Sequence, residues 1–137
     1  MSNWAKSLIK LSTYEVETLQ KRLAEIAAER AQIEGRLVAL HAEGLAEMAA
    51  AAGDQQNGWR IAGYMEALEA RKGLVRADLH AKTLEEQGAR DALAQAFETQ
   101  KKYEQVAEQA RVLAVREEGR RDTAQLDELG LRKAGGR

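Results

Sequence analysis

The spacing of apolar residues constrains the fold of this chain more than any other feature of its sequence. Two long stretches carry apolar residues at alternating intervals of three and four, and one short polar break separates them. None of the 137 residues is proline, so no residue type in either stretch forces a helix to end. The pattern predicts an all-α fold, a two-helix antiparallel coiled-coil hairpin with the second helix longer.

The first helix is predicted to cover about residues 7–52. Ser7 is a suitable N-terminal cap, because a serine hydroxyl can accept a hydrogen bond from an unpaired backbone N–H. The predicted seam, the stripe that faces the second helix, consists of Ile9, Ser12, Val16, Leu19, Leu23, Ile26, Arg30, Ile33, Leu37, Leu40 and Gly44. Apart from Arg30 these residues are apolar or small, which is typical of a heptad repeat.

The chain is predicted to reverse at residues 53–58. Gly53 suits the C-terminal cap of a helix, and the polar residues that follow it favour a turn. The second helix is predicted at about residues 59–129, and a frayed tail at 130–137 because glycine recurs there. The whole chain, 1–137, is short enough to form a single domain.

The second helix carries a longer seam than the first. Its predicted positions are Ile61, Met65, Leu68, Lys72, Val75, Leu79, Lys82, Glu86, Ala89, Leu93, Ala96, Gln100, Tyr103, Ala107 and Ala110. Val106 and Leu113 lie on a neighbouring stripe, which predicts that the register drifts there. The excess length predicts an overhang at about residues 110–129, which is either a docking site for a partner or disordered when free.

Composition excludes several classes of protein. The net charge of −1 disfavours non-specific binding to nucleic acid. The chain has no cysteine, which excludes disulfides and thiol chemistry and fits a reducing compartment. We find no apolar run long enough for a signal peptide or a membrane span, so we expect a cytoplasmic protein that does not insert into a membrane.

Few residues suggest chemistry. Arg30 is predicted to lie near Lys82 and Glu86, either as a polar layer that sets the register of the helices or as a site for a partner. His41 and His80 lack neighbours at metal-ligand spacing, so we predict no metal site and no cofactor. A hairpin also provides no water-excluded pocket, and we predict no enzymatic activity and no catalytic residue.

Two segments are candidate interfaces. Trp59, Tyr64, Met65 and Leu68 form a large apolar cluster just after the turn, which either anchors a partner or only stabilises the end of the hairpin. The mixed-charge run at residues 116–122 is either a solvated helix face or an arginine-bearing surface that docks on an acidic partner.

Three groups of residues resemble the FliJ family of flagellar type III export proteins. The first is the opening pattern Leu11, Glu15, Val16, Leu19 and Leu23. The second is the pattern after the turn, Trp59, Ile61, Tyr64, Met65 and Leu68. The third is the C-terminal stretch from Arg120 to Leu129, in which an Asp-Glu pair lies between large apolar residues. Lys101-Lys102-Tyr103-Glu104 is also similar to the family's alpha-proteobacterial members.

The resemblance implies a function without catalysis. Proteins of this family are stalk-like hairpins of the flagellar export apparatus at the inner membrane. They bind the hexameric flagellar export ATPase and promote its assembly and activity. They also contact the cytoplasmic domain of the export gate protein and escort export chaperones.

The resemblance also implies two sets of binding residues. Leu40, Tyr64, Leu68 and Val75 correspond to the surface that faces the export gate. Residues in the overhang correspond to the end that faces the ATPase ring, namely Arg116, Arg120, Arg121, Leu126, Asp127 and Glu128.

Other functions remain open at the level of sequence. One is the equivalent stalk of a virulence type III secretion system. Another is a general export chaperone or scaffold, which would bind exported helical subunits without changing ATPase turnover. A coiled coil that binds nucleic acid would show strongly salt-dependent binding to DNA, which the near-neutral charge disfavours.

Overall fold

The computed structural model describes residues 3–53 and 58–135. These residues contain two α-helices, α1 at Asn3–Ala51 and α2 at Gly58–Gly135. The described residues form no strand. The prediction of an all-α helical hairpin with the longer helix second is therefore confirmed.

The first helix begins earlier than the sequence predicts. Ser7 is not a cap, because its Oγ donates a hydrogen bond to the carbonyl of Asn3 at 2.9 Å, a contact made inside a helix. Ala5 is buried, so the extra turn has a packing partner. At its other end α1 stops at Ala51, followed by a turn at Ala52 and Gly53. The rest of the predicted reversal, residues 54–57, lies outside the described residues.

The second helix continues past the predicted limit at about residue 129. It begins at Gly58 and ends at Gly135, so the predicted frayed tail is helical over its described part. A single glycine such as Gly130 costs a helix only about 1 kcal/mol, which does not end it. An ion pair between Arg132 and Glu128 at 3.3 Å also supports this last segment.

The described residues form two compact units. The terminal unit contains the described parts of Met1–Glu17 and Ala94–Arg137, and the hairpin unit those of Thr18–Leu93. The single domain that the chain length favours stays a prediction.

Contacts within the hairpin unit show that its helices are antiparallel. Glu43 of α1 pairs with Arg71 of α2 at 3.5 Å, and Glu29 pairs with Lys82 at 2.6 Å. Partner numbers thus rise along α2 as they fall along α1. In the terminal unit, Gln100 Nε2 donates to Thr13 Oγ1 at 3.1 Å.

The predicted seam agrees with the structure position by position. Every seam residue named from the sequence, on both helices, is buried or half-buried. The predicted drift near the C-terminal end of the seam is wrong, because Tyr103, Ala107 and Ala110 remain covered whereas Val106 and Leu113 are exposed. Small alanine side chains can form the seam there, because two helices that approach each other closely need no large side chain between them.

Leu68 packs closely against the backbone of α1 at Gly44. Leu68 is 0% exposed, and its Cδ2 would lie 2.6 Å from a Cβ added at Gly44. A side chain at Gly44 would therefore displace an enclosed leucine. Glycine at this seam position allows Leu68 to pack directly against the backbone of α1.

We predict opposite effects for two glycine-to-alanine substitutions in α1. Gly35→Ala, where an added Cβ meets nothing within 4 Å, should stabilise the protein by about 0.5–1 kcal/mol through helix propensity. Gly44→Ala should show none of this gain, or a net loss, because Leu68 must move. Urea unfolding followed by circular dichroism measures both, and an equal gain in both variants would contradict the packing described.

Candidate functional site

A cluster of charged residues interrupts the seam of the hairpin unit. Glu86 is buried, and its carboxylate contacts Arg30 Nε and, at 2.8 Å, Arg90 Nη2. Arg30 also pairs with Glu34 at 2.8 Å. The predicted proximity of Arg30 and Glu86 is thus confirmed, and two guanidinium groups neutralise the buried carboxylate.

A second ionic cluster centres on Lys82. Its ammonium group pairs with Glu29 at 2.6 Å and with Glu85 at 2.9 Å, and Arg22 also reaches Glu85 at 3.0 Å. Lys82 therefore pairs across the seam with Glu29. Because the charges of both clusters are paired within the protein, the geometry favours a role in setting the register over a ligand site.

The ion pairs shift the pKa values of their members. A hydrogen bond from Lys82, together with its charge, lowers the pKa of Glu29 from 4.5. Hydrogen bonds to Glu29 and Glu85 raise the pKa of Lys82 in return. The pKa of Arg30 is raised chiefly by its hydrogen bond to Glu86. Each charge therefore stabilises the ionised state of its partner.

The depressed pKa of Glu29 makes stability depend on pH in the acidic range. Its pairing contributes fully above the unfolded value of about 4.5 and is lost as the pH falls through the lower folded value. We predict that Glu29→Gln reduces the loss of stability between pH 7 and about pH 3. Urea unfolding at both pH values measures this.

A double-mutant cycle with Lys82→Met provides the control. In that background Glu29 lacks its ammonium partner, so Glu29→Gln should change the pH dependence much less. An equal change in both backgrounds would show that the acid sensitivity has another origin.

A third polar residue, Lys72, lies buried in the seam. Its Nζ approaches Glu69 Oε1 at 3.3 Å and His41 Nδ1 at 3.5 Å. The hydrogen bond from Lys72 is also the largest cause of the lowered pKa of Glu69. Like the ionic clusters, Lys72 is satisfied by neighbours in its own hairpin.

The four residues that resemble the gate-facing surface do not form one surface. Leu40 and Val75 line an open groove of about 490 Å³, together with Arg36, Ala39, Glu43, Arg71, Leu74 and Asp78. Tyr64 lines a separate hollow of about 330 Å³ beside Glu47 and Ile61. Leu68 is enclosed between the helices, so a partner could reach it only if the helices separated.

Leu74 is an exposed apolar residue of the groove that lies outside the seam. It lines the groove and is 71% exposed, which is more than Leu45 or Leu84 in the same unit. The seam pattern does not include it, because Leu74 lies beside the seam, on the flank of α2 that borders the groove shared with α1. A search for a second heptad stripe on the outer face would have found it.

Tyr64 has an unusual environment. Its hydroxyl is buried, and no hydrogen-bond partner for it is found among the described residues. Burial raises the pKa of Tyr64 above 10, and the neighbouring carboxylate of Glu43, through hydrogen bonding and charge, raises it further, as does the charge of Glu47.

The residues predicted to face the ATPase ring lie in the terminal unit and are exposed. Past Glu117, every described residue of α2 is exposed. Arg120 and Arg121 both pair with Glu117, at 2.7 and 3.6 Å, and Glu128 pairs with Arg132. Arg116, Leu126 and Asp127 are exposed as well.

The large apolar residues of this segment fall on more than one face. Val115, Leu126 and Leu129 share one side of the helix by periodicity, and all three are exposed. Leu131 lies roughly 140° around the helix from Leu126. The segment thus presents an apolar strip with charged residues beside it, and α1 does not cover it.

The described residues contain neither a metal-binding cluster nor a membrane-spanning segment. Residues 3–53 and 58–135 contain no group of three or more histidine, aspartate or glutamate side chains that could hold a metal ion. Within the same residues, neither helix has a segment apolar enough to span a bilayer.

Comparison with known proteins gives a consistent result. The family model described as "Flagellar FliJ protein" matches residues 6–137. Flagellar FliJ proteins from two strains of Caulobacter vibrioides, NA1000 / CB15N and ATCC 19089 / CIP 103742 / CB 15, are each 49% identical over 139 residues. Each alignment covers 100% of this chain and 100% of the relative. No solved structure matches the chain.

Proposed function

The chain belongs to the family of flagellar FliJ proteins, and from this premise we propose that it is a non-enzymatic stalk of the flagellar protein export apparatus. In this role it binds the hexameric export ATPase, promotes the assembly and activity of that ring, and links the ring to the export gate. Export chaperones are further partners. The protein acts in the cytoplasm at the inner-membrane apparatus.

The exposed C-terminal segment of α2 carries this proposal. In the terminal unit, Ala5 and Ala107 are buried, whereas nothing from α1 covers the helix past Glu117. A helix this long without tertiary packing gains little from its own propensity, and it normally exists to be covered by a partner. The exposed strip of Val115, Leu126 and Leu129 supplies apolar area for that contact.

The direct experiment measures ATP hydrolysis by the purified flagellar export ATPase of the same organism, with and without this protein. We expect the protein to raise turnover and to shift the ATPase toward hexamers in light scattering of the same samples. Binding to exported subunits without any change in turnover would instead support a chaperone or scaffold.

A matched pair of variants localises the contact. We predict that Leu126→Asp weakens the apparent affinity with which the protein stimulates the ATPase by at least about tenfold, because it places a charge in the apolar strip. Leu131→Asp introduces the same charge at a leucine that is also exposed, 74% against 68%, but on another face of the helix.

Both leucines lie outside the packed seam, so helix content measured by circular dichroism should be unchanged in both variants. Equal loss of stimulation in the two variants would argue against the strip as the contact. A large loss of helix in Leu126→Asp would show that the segment belongs to the folded core.

The groove and Tyr64 support contact with the export gate. The groove has an apolar floor and a rim of both charge signs, which suits a polar protein surface with a few apolar anchors. We predict that Tyr64→Ala weakens binding to the cytoplasmic domain of the gate protein by at least about tenfold.

Trp59→Ala serves as the control for gate binding. Trp59 is exposed close to Tyr64 in sequence, and it stacks under Arg60, whose guanidinium carbon lies 5.3 Å from the ring centre. Isothermal titration calorimetry would compare the two variants. Loss of affinity in Trp59→Ala but not in Tyr64→Ala would place the contact at the turn instead.

A further inference from the structure

The outer face of α2 carries a second heptad stripe in the hairpin unit. Its members recur at intervals of four and three and are all exposed, namely Gly63, Ala67, Ala70, Leu74, Ala77, Ala81, Leu84 and Gly88. None of them is charged, although 31% of the chain is charged. Leu74 and Leu84 are 71% and 62% exposed. We call this set the outer stripe.

Packing inside the hairpin does not explain the outer stripe. Helical periodicity places its centre line about 160° around α2 from the seam, and Leu74 lies at the edge of the stripe that borders the groove shared with α1. A Cβ added at Gly63 or Gly88 would meet nothing within 4 Å. A heptad pattern of apolar and small residues is the pattern of a helix–helix contact, and here the second helix is missing.

The sizes of the side chains are self-complementary when the stripe is paired with its own copy in the antiparallel direction. The register that places Leu74 opposite Ala77 of a second copy also places Ala67 opposite Leu84. The same register pairs Ala70 with Ala81, and Gly63 with Gly88. Each leucine thus faces an alanine, so no layer is overpacked, and the small layers permit close approach of the backbones.

The charges beside the stripe agree with the same register. Arg71 and Asp78 flank the outer stripe on one side, and antiparallel pairing sets Arg71 of each copy against Asp78 of the other. Arg71 makes an intrachain ion pair with Glu43 at 3.5 Å, which is long and exposed, so its other donors remain accessible.

We propose that the outer stripe is an interface with a second copy of this chain, forming a two-fold symmetric dimer through α2. The symmetry axis passes between Val75 and Arg76, midway between Leu74 and Ala77. The contact extends over Gly63 to Gly88, about 39 Å of helix. It does not depend on the proposed export function.

The expected dimer is reversible. The eight residues of the stripe, together with Arg71 and Asp78, give ten residues a side, fewer than the roughly 20–30 of a stable interface, so we expect a dissociation constant in the micromolar range. Arg71, Leu74 and Asp78 also line the groove. A copy in the dimer therefore cannot offer that groove to another partner, which makes the dimer a competitor of groove binding.

The first test is sedimentation velocity of the full chain at concentrations from about 1 μM to about 1 mM. We expect a concentration-dependent dimer, and a monomer throughout the range would overturn the proposal. Ala77→Glu places a charge against Leu74 in two symmetric layers, and it should raise the dissociation constant at least about tenfold.

Val38→Glu is the matched control for the outer face of α1. Val38 is 69% exposed and belongs to the same hairpin unit, so it reports non-specific effects of a charge on exposed apolar surface. Unchanged dimerisation in Val38→Glu supports the assignment to α2. An equal loss in both variants, or a loss in Val38→Glu alone, overturns it. Circular dichroism verifies that both variants remain helical.

Cysteine cross-linking tests the register. The chain has no cysteine, so one introduced thiol per copy is unambiguous. Leu74→Cys places two thiols beside the symmetry axis, offset by roughly 5 Å along it, and a short bismaleimide should link them. Leu84→Cys, on the same stripe, places them roughly 26 Å apart along the axis, and it should not cross-link. Equal linking of both variants would overturn the antiparallel register.

Discussion

The seam between α1 and α2 is the constraint on which the other features depend. Two helices can cover only one stripe of each other, so a two-helix protein leaves most of its side chains in contact with water. Stability therefore rests on a narrow set of contacts, among them the packing of the enclosed Leu68 against Gly44. An apolar residue outside the seam has no core to pack into, so its presence needs another explanation.

The polar residues in the seam matter because the two helices share so few contacts. Glu86 and Lys72 are buried where an apolar residue would give more stability, yet each has partners nearby. A uniform apolar seam can slide by one heptad, whereas a charge must keep its partner. The ionic clusters thus restrict the hairpin to one register. This fixed register also determines which residues of α2 point outward.

The sequence predicts the seam far better than it predicts the binding surfaces. A period of seven identifies covered positions directly, and even Arg30 and Glu86 were found this way. Helix ends were less predictable, because Ser7 bonds back to Asn3 and Gly130 does not break α2. The binding residues depend on partners that the chain does not contain. Leu68, which the resemblance assigns to the gate-facing surface, is enclosed between the helices, whereas Leu74 is exposed.

If the protein is the stalk of the export ATPase, as we propose, one copy should occupy each hexameric ring. Native mass spectrometry of the reconstituted complex tests it most directly. The account predicts a species with the mass of six ATPase subunits and one 15.1 kDa chain, formed with the wild-type protein. Rings that form equally well without bound protein, or that bind one copy for every ATPase subunit, would contradict it.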